Sequence, residues 1–343
     1  MLALRWHGRG DVRLDDIEPP PPPGPGEVQV RVRYCGICGT DVEEFRSGPL
    51  FIPTAPHPLT GRMAPLTLGH EVCGVVVQVG AGVADPRPGQ RVALNPMLSC
   101  GSCYWCVRHQ VNRCERAALF GLMADGGMAE RCNVPAAATV PLPDGVSDTS
   151  GAMMEVLAVA VRALRRGRFQ LGERVCVLGG GGTGLMVGQA ARASGAADVG
   201  LIEPSAERRQ VGGEVGMDWV EQAPPTGVEA DLVLECSGNP DAIADAVQVC
   251  RRGGRVVLVG VYERAVGFDF LPLVASEREL IGSLGHVYDE DFPTALALLG
   301  GGQIWVEPLV SDRVPLHRAL DDGLLALARE PSQHLKILVE PAA

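Results

Sequence analysis

Lysine is all but missing from this chain: Lys336 is the only one in 343 residues, and arginine carries the rest of the side-chain positive charge. We read that bias as a matter of composition rather than of function. Basic runs are missing too, and a formal net charge of −11 leaves no electrostatic footprint for nucleic acid. No apolar stretch reaches the roughly 18 residues that mark a membrane-crossing helix. The first residues, Met1-Leu2-Ala3-Leu4-Arg5-Trp6, run straight into charged residues without an apolar core of signal-peptide length. These absences predict a cytoplasmic protein with reduced thiols, and neither membrane nor nucleic acid among its partners. A G-x-S-x-G elbow is absent as well, which removes the serine-hydrolase reading. Cys236-Ser237-Gly238 stands instead at the end of a predicted strand.

What is present begins with length. A chain of 343 residues exceeds one ordinary core and implies two domains, and 46 % hydrophobic with 21 % charged residues fits a soluble globular protein. Residues 19–26 are a Pro/Gly-rich extended connector. Val28, Val30, Val32 and Tyr34 then alternate with Gln29, Arg31 and Arg33, the period of a half-buried strand, which delivers residues 35–41 as a Gly-rich bend. Residues 48–63 lack periodicity and predict a long ordered loop, a place where function often sits. Further strands are expected at 75–79 and 90–94, so residues 1–150 form a β-rich lobe. From 151 the character changes. A helix is expected at 155–164, and apolar runs at 175–178, 199–202, 232–234 and 255–260 alternate with helical stretches at 184–194, 205–215 and 241–249. Alternation of this kind predicts a parallel sheet covered on both faces. A helix at 316–329 and a strand at 335–339 close the chain, and periodicity does not assign them to either lobe.

Eleven cysteines in a reducing compartment point to metal binding plus packed thiols rather than to disulfides. The strongest spacing is Cys100-x2-Cys103-x2-Cys106-x7-Cys114, four thiolates that can wrap one tetrahedral zinc. A closed four-cysteine shell has no open position, so this site is expected to be structural. The ferredoxin alternative needs a tighter final spacing and a following proline, neither of which occurs here. Cys35, Cys73, Cys132, Cys176, Cys236 and Cys250 lie in or beside apolar runs and read as packed thiols. A second signal is the order strand, Gly179-x-Gly181-x2-Gly184, helix, strand and Glu203. Such glycines let a backbone approach a pyrophosphate seated on the helix N-terminus, and the acid accepts hydrogen bonds from the adenosine ribose. Glu203 also repels a 2′-phosphate, which favours NAD over NADP. Arg208, in the following helix, completes the cofactor-binding set. A third constellation is dispersed: Cys38, the pair His70-Glu71, and Glu155 could hold a zinc with one open position, with Thr40 beside it as a proton carrier. His109, His286, His317 and His334 have no ligand-like neighbours in sequence and are expected at the surface or in loops.

Taken in order, Gly36-Ile37-Cys38-Gly39-Thr40-Asp41, Gly69-His70-Glu71, the four-cysteine lobe, Glu155-Val156-Leu157-Ala158-Val159-Ala160 and the 179–203 fingerprint resemble the zinc-dependent medium-chain dehydrogenases. The resemblance extends to His334-Leu335-Lys336-Ile337-Leu338-Val339. Glutamate at 155 is similar to the polyol, threonine and butanediol branches, and Arg5-Trp6-His7-Gly8, Phe51-Ile52-Pro53 and Pro56-His57-Pro58-Leu59-Thr60 are similar to (R,R)-2,3-butanediol dehydrogenases. The resemblance implies an α/β protein. A GroES-like catalytic domain (1–150, with the zinc lobe at about 95–115) would precede a Rossmann NAD-binding domain (151–288), and 289–343 would return to the catalytic domain. It further implies two zinc ions per chain, one catalytic and one structural, and a homodimer or homotetramer. Cys38 and His70 would ligate the catalytic zinc with Glu71 or Glu155 as third or exchangeable ligand, and Thr40 would take the alcohol proton.

One position departs from the pattern. Relatives usually carry histidine where this chain has Glu43, the residue that passes the proton onward from the nicotinamide ribose. A carboxylate can relay a proton but titrates lower than imidazole. The expected activity is hydride transfer between NAD(H) and a secondary alcohol or vicinal diol of the 2,3-butanediol/acetoin type. A cyclitol, sugar or polyol dehydrogenase is the enzymatic alternative. A non-catalytic NAD- or zinc-binding protein is the alternative of another class, against which the intact Cys38, His70, Glu71 and Glu155 argue.

Overall fold

The computed structural model describes residues 1–262 and 264–341. They form two compact units. The first comprises Met1–Glu155, Val287–Phe292 and Val310–Ala343, and the second Val156–His286 and Pro293–Leu309. Residues 293–309 therefore fall in the second unit, whereas the family resemblance returns 289–343 to the first as one piece. The reason is local: Gln189 bonds both the N–H and the carbonyl of Trp305, tying that segment to the helix Gly182–Ala193.

The first unit is built on a sheet in the order Thr139–Pro141, Arg91–Leu94, Glu71–Val79, Glu27–Gly36, Lys336–Glu340 and Val310–Pro315. The strand Glu27–Gly36 turns Val28, Val30 and Val32 fully inward and leaves Arg31 and Arg33 exposed, as its period requires. These valines pack with Leu4, Trp6, Val76, Ile337 and Val339 in one core. Gly36 is paired with Glu71 on one side and Leu338 on the other, so this register brings the ends of three adjacent interior strands together. The strand expected at 75–79 begins at Glu71, which places that acid in the sheet rather than in a turn.

The bend expected after Gly36 is in fact the start of a helix, Gly39–Ser47. Cys38 is its N-cap and the Asp41 carboxylate accepts the Cys38 N–H at 2.9 Å, half of a capping box. At the far end of this helix the buried Glu44 carboxylate accepts the N–H groups of Leu50, Phe51 and Ile52, which anchors the loop at 48–63. The C-terminal helix expected at 316–329 is three short pieces, Leu316–Arg318, Ala319–Leu324 and Leu325–Arg329, with Gly323 packed close to Ile37 of the same unit. Cys35, Cys73, Cys132, Cys176 and Cys250 are buried, as packed thiols should be, while Cys236 is half-buried.

The second unit is a six-stranded sheet, Trp219–Glu221, Asp198–Ile202, Arg174–Leu178, Ala230–Glu235, Cys250–Leu258 and Glu279–Gly282, with every pairing parallel. This is the doubly wound order whose direction reverses beside its first strand. His286, expected at the surface or in a loop, is only 1 % exposed, because the segment turns inward with the buried Val287. Among the described residues, no helix is long and apolar enough to cross a membrane.

Candidate active site

Cys38, His70 and Glu71 each offer one donor atom, and those atoms all lie within 4.8 Å of one another. Cys38 arrives at the helix N-terminus, His70 and Glu71 at the beginning of the neighbouring strand. Gly36 has to be glycine here, since a Cβ would collide with the Glu71 carboxylate opposite it. Asp41 Oδ1 lies 3.8 Å from His70 Nδ1, and both residues are buried. Thr40 Oγ1 stands 3.8 Å from Cys38 Sγ. Glu43 follows one turn later, on the same helix face as Thr40.

Glu155, at the first turn of the helix Met154–Arg166, is not part of the trio. Burial pushes its carboxyl up to about 7, and it feels the charges of His70, Glu71, Lys336 and Asp41. Burial opposes a charge on His70, yet Cys38 and Asp41 outweigh it and raise the imidazole well above its ordinary value. A buried pocket that concentrates a thiol, an imidazole and three carboxylates attracts a cation, and a divalent metal in place of protons satisfies it. The donor set therefore fits zinc: three protein ligands of mixed N, O and S type.

One residue of this site contradicts its reading from composition. Lys336 is no relic of bias: it is 5 % exposed and donates from Nζ to both Glu71 carboxylate oxygens at 2.7 Å and to the Ile37 carbonyl at 3.1 Å. The signal that points to it is a lone lysine in an arginine-rich chain. Asp41 is a second site residue that spacing does not single out, although its place three residues after Cys38 is a capping pattern.

The four-cysteine lobe is assembled as its spacing requires. Cys100, Cys103, Cys106 and Cys114 bring their sulfurs within 4.8 Å of one another, with Cys103 and Cys106 at 3.5 Å. Backbone N–H groups of Ser102 and Cys103 draw the Cys100 thiol down to about 5, whereas burial pushes the Cys114 thiol up to about 11 although the Arg116 N–H points at its Sγ. Donors aimed at sulfur favour thiolates, the form that binds metal. A closed set of four fits a structural zinc.

In the second unit, Gly179 takes φ +94°, and a Cβ on Gly184 would collide with the Gly179 carbonyl, so turn and helix can approach closely only with glycines. Gly181 caps the helix Gly182–Ala193, whose first turn holds no acid and leaves N–H groups for an anion. Glu203 is nearly buried and accepts the N–H groups of Gly180 at 2.6 Å and Ser205 at 2.8 Å. The Arg208 guanidinium comes near the same turn, 3.9 Å from where a Gly181 Cβ would stand.

Comparison with known proteins agrees with both halves. Residues 24–144 match the family described as Alcohol dehydrogenase GroES-like domain, and residues 182–300 match Zinc-binding dehydrogenase. The (R,R)-butanediol dehydrogenase of Bacillus subtilis (strain 168) is 36 % identical, over 99 % of this chain and 100 % of its own length. The solved 2R,3R-butanediol dehydrogenase of Bacillus subtilis superposes with a TM-score of 0.90 at 34 % identity, covering 99 % of both chains. A zinc-binding dehydrogenase from Sinorhizobium meliloti 1021 bound to NADP (TM-score 0.88, 30 % identity) and an E. coli CFT073 alcohol dehydrogenase complexed with NADH (TM-score 0.88, 26 % identity) each cover 99 % of both chains.

Proposed function

The chain belongs to the zinc-dependent medium-chain alcohol dehydrogenases and is an oxidoreductase using zinc and a nicotinamide dinucleotide; we propose that its substrate is a vicinal diol or the matching hydroxyketone, of the 2,3-butanediol/acetoin type. The observation that carries this reading is the Cys38–His70–Glu71 trio with Thr40 beside it, in a chain similar end to end to a butanediol dehydrogenase. In this proposal Cys38, His70 and Glu71 hold the catalytic zinc, with Glu155 as the nearby exchangeable carboxylate. Zinc bound there supplies a Lewis acid that makes the alcohol more acidic. Thr40 accepts the alcohol proton through its hydroxyl, and Glu43 carries it toward solvent. Bound NAD would supply the hydride acceptor for the carbinol carbon. Gly179, Gly181 and Gly184 admit its pyrophosphate to the helix N-terminus, Arg208 adds positive charge there, and Glu203 binds the adenosine ribose and disfavours a 2′-phosphate.

The four-cysteine lobe holds the second, structural zinc. A homo-oligomer, dimer or tetramer, is part of the proposal. Among the described residues, the strand Glu279–Gly282 is a sheet edge, and Phe270, Leu271, Val274 and Leu284 leave large apolar side chains exposed in the same unit. A cytoplasmic location accords with the eleven free cysteines.

The test is NADH formation from a panel of diols, secondary alcohols, polyols and cyclitols, repeated with NADP. Turnover of 2,3-butanediol or a close vicinal diol with NAD is expected. Preference for a polyol or cyclitol would overturn the substrate assignment, and preference for NADP would overturn the role given to Glu203.

A further inference from the structure

Leu178, Glu235 and Leu258 pair side by side where three neighbouring strands of the second unit end. The turns that leave these ends lie against one another. A Cβ on Gly179 would press on Ser237, and one on Gly238, at φ +66°, would collide with the Val261 carbonyl. Glu235 stands in the middle of the three and is wholly buried. Its carboxylate accepts the N–H groups of Ser237 at 2.7 Å and Gly238 at 3.3 Å, and the hydroxyls of Ser237 and Tyr262. Its carbonyl accepts the N–H groups of Val259 at 2.8 Å and Gly260 at 3.0 Å. One residue thus ties the turn at 236–238 to the turn at 259–262 through both main chain and side chain. Burial and the Glu235 carboxylate both push the Tyr262 hydroxyl up, so it stays a donor. The main-chain bonds already join the strands, which leaves the Tyr262–Glu235 bond to set the turns beyond them.

A dinucleotide crosses the carboxyl ends of such a sheet where the strand order reverses, with one mononucleotide on each half. Here that place lies between Arg174–Leu178 and Ala230–Glu235. Glu203 and the turn at 179–184 serve the adenosine half, so the turns at 236–238 and 259–262 belong to the half that takes the nicotinamide. We propose that Tyr262 and Glu235 are positioning residues for the nicotinamide riboside, their hydrogen bond fixing the two turns on which that end of the cofactor rests. The proposal rests on the reading of this unit as the NAD-binding domain.

Isothermal titration calorimetry on the full-length protein compares NADH with ADP, which carries the adenosine and two phosphates but lacks the nicotinamide riboside. Tyr262→Phe keeps the ring and removes one hydroxyl. Its NADH affinity should fall by about 3–10-fold, the scale of one hydrogen bond, with ADP affinity unchanged. Glu235→Gln should weaken NADH at least as much and again spare ADP. Because both residues act through one bond, the double variant should lose less than the product of the two single losses. Unchanged NADH affinity in Tyr262→Phe, equal losses for ADP and NADH, or multiplying losses in the double variant would each overturn the proposal. Should Glu235→Gln fail to fold, Tyr262→Phe decides alone, in the same directions. A wild-type protein that binds neither ADP nor NADH would fail differently: it removes the NAD-binding reading itself.

Discussion

In the proposed proton path Thr40 and Glu43 are the two side chains that carry the proton, and each gives a separate prediction. Thr40→Val keeps the shape and removes the hydroxyl, so kcat should fall by about 10²-fold or more while both zinc ions remain bound. Equal loss of zinc would show a structural role instead. Glu43 holds the place where the family resemblance leads one to expect histidine, and free carboxyl and imidazole side chains titrate in different ranges, about 4.3 against about 6.5. Glu43→His should therefore move the pH dependence of kcat upward and strengthen the relay. An unchanged pH–rate profile would remove Glu43 from the path. Spacing alone does not rank either residue's role, because the helix Gly39–Ser47 that sets them on one face reads as a bend. Glycines at 36 and 39 and the scarcity of apolar residues after them mask its pattern.

At the scale of elements, the parallel sheet of the second unit is clamped at the start of its central strands by Asp231. Burial works to raise its pKa, but the Arg174 N–H and the Arg251 guanidinium outweigh it and hold the carboxyl below its ordinary value. A lowered carboxylate stabilises the fold in full above its unfolded value, and that stabilisation is lost as pH falls through the lower folded value. Solvent screens this partly exposed pair, so Asp231→Asn should cost about 0.5–1 kcal/mol at pH 7, and the difference from wild type should shrink to nothing in acid where both are uncharged. Denaturant melts at the two pH values check it; a penalty independent of pH would mean that packing, not charge, is what Asp231 contributes. The strands around it are legible in the sequence because each is a short apolar run bounded by turns. The edge strand Glu279–Gly282 is not, having only intermediate or exposed residues to betray it.

For the whole molecule, the proposed homo-oligomer would draw on the apolar residues left exposed in the second unit. Leu271, 70 % exposed, should be part of the contact between copies. Leu271→Glu should shift the protein toward monomer in size-exclusion with light scattering, with little change in the melting of the individual chain. A wild-type monomer, or an unaltered assembly in the variant, would place the contact elsewhere or deny it.

Two features were determined by sequence alone, and both are local. The four cysteines lie within one short loop, so their spacing already dictates that they can surround one ion. The dinucleotide fingerprint is one strand, one turn, one helix and the next strand, and chain order and distance in space coincide there. The proposed metal-binding trio is of another kind. Glu71 and Lys336 are 265 residues apart and meet at 2.7 Å only because the strands that carry them flank Glu27–Gly36 on its two sides. Which side chains share an edge is decided by strand neighbours and register, long-range quantities that periodicity does not carry. A lone lysine could be counted in the sequence, but only the folded sheet shows that it closes on a carboxylate at the centre of the site.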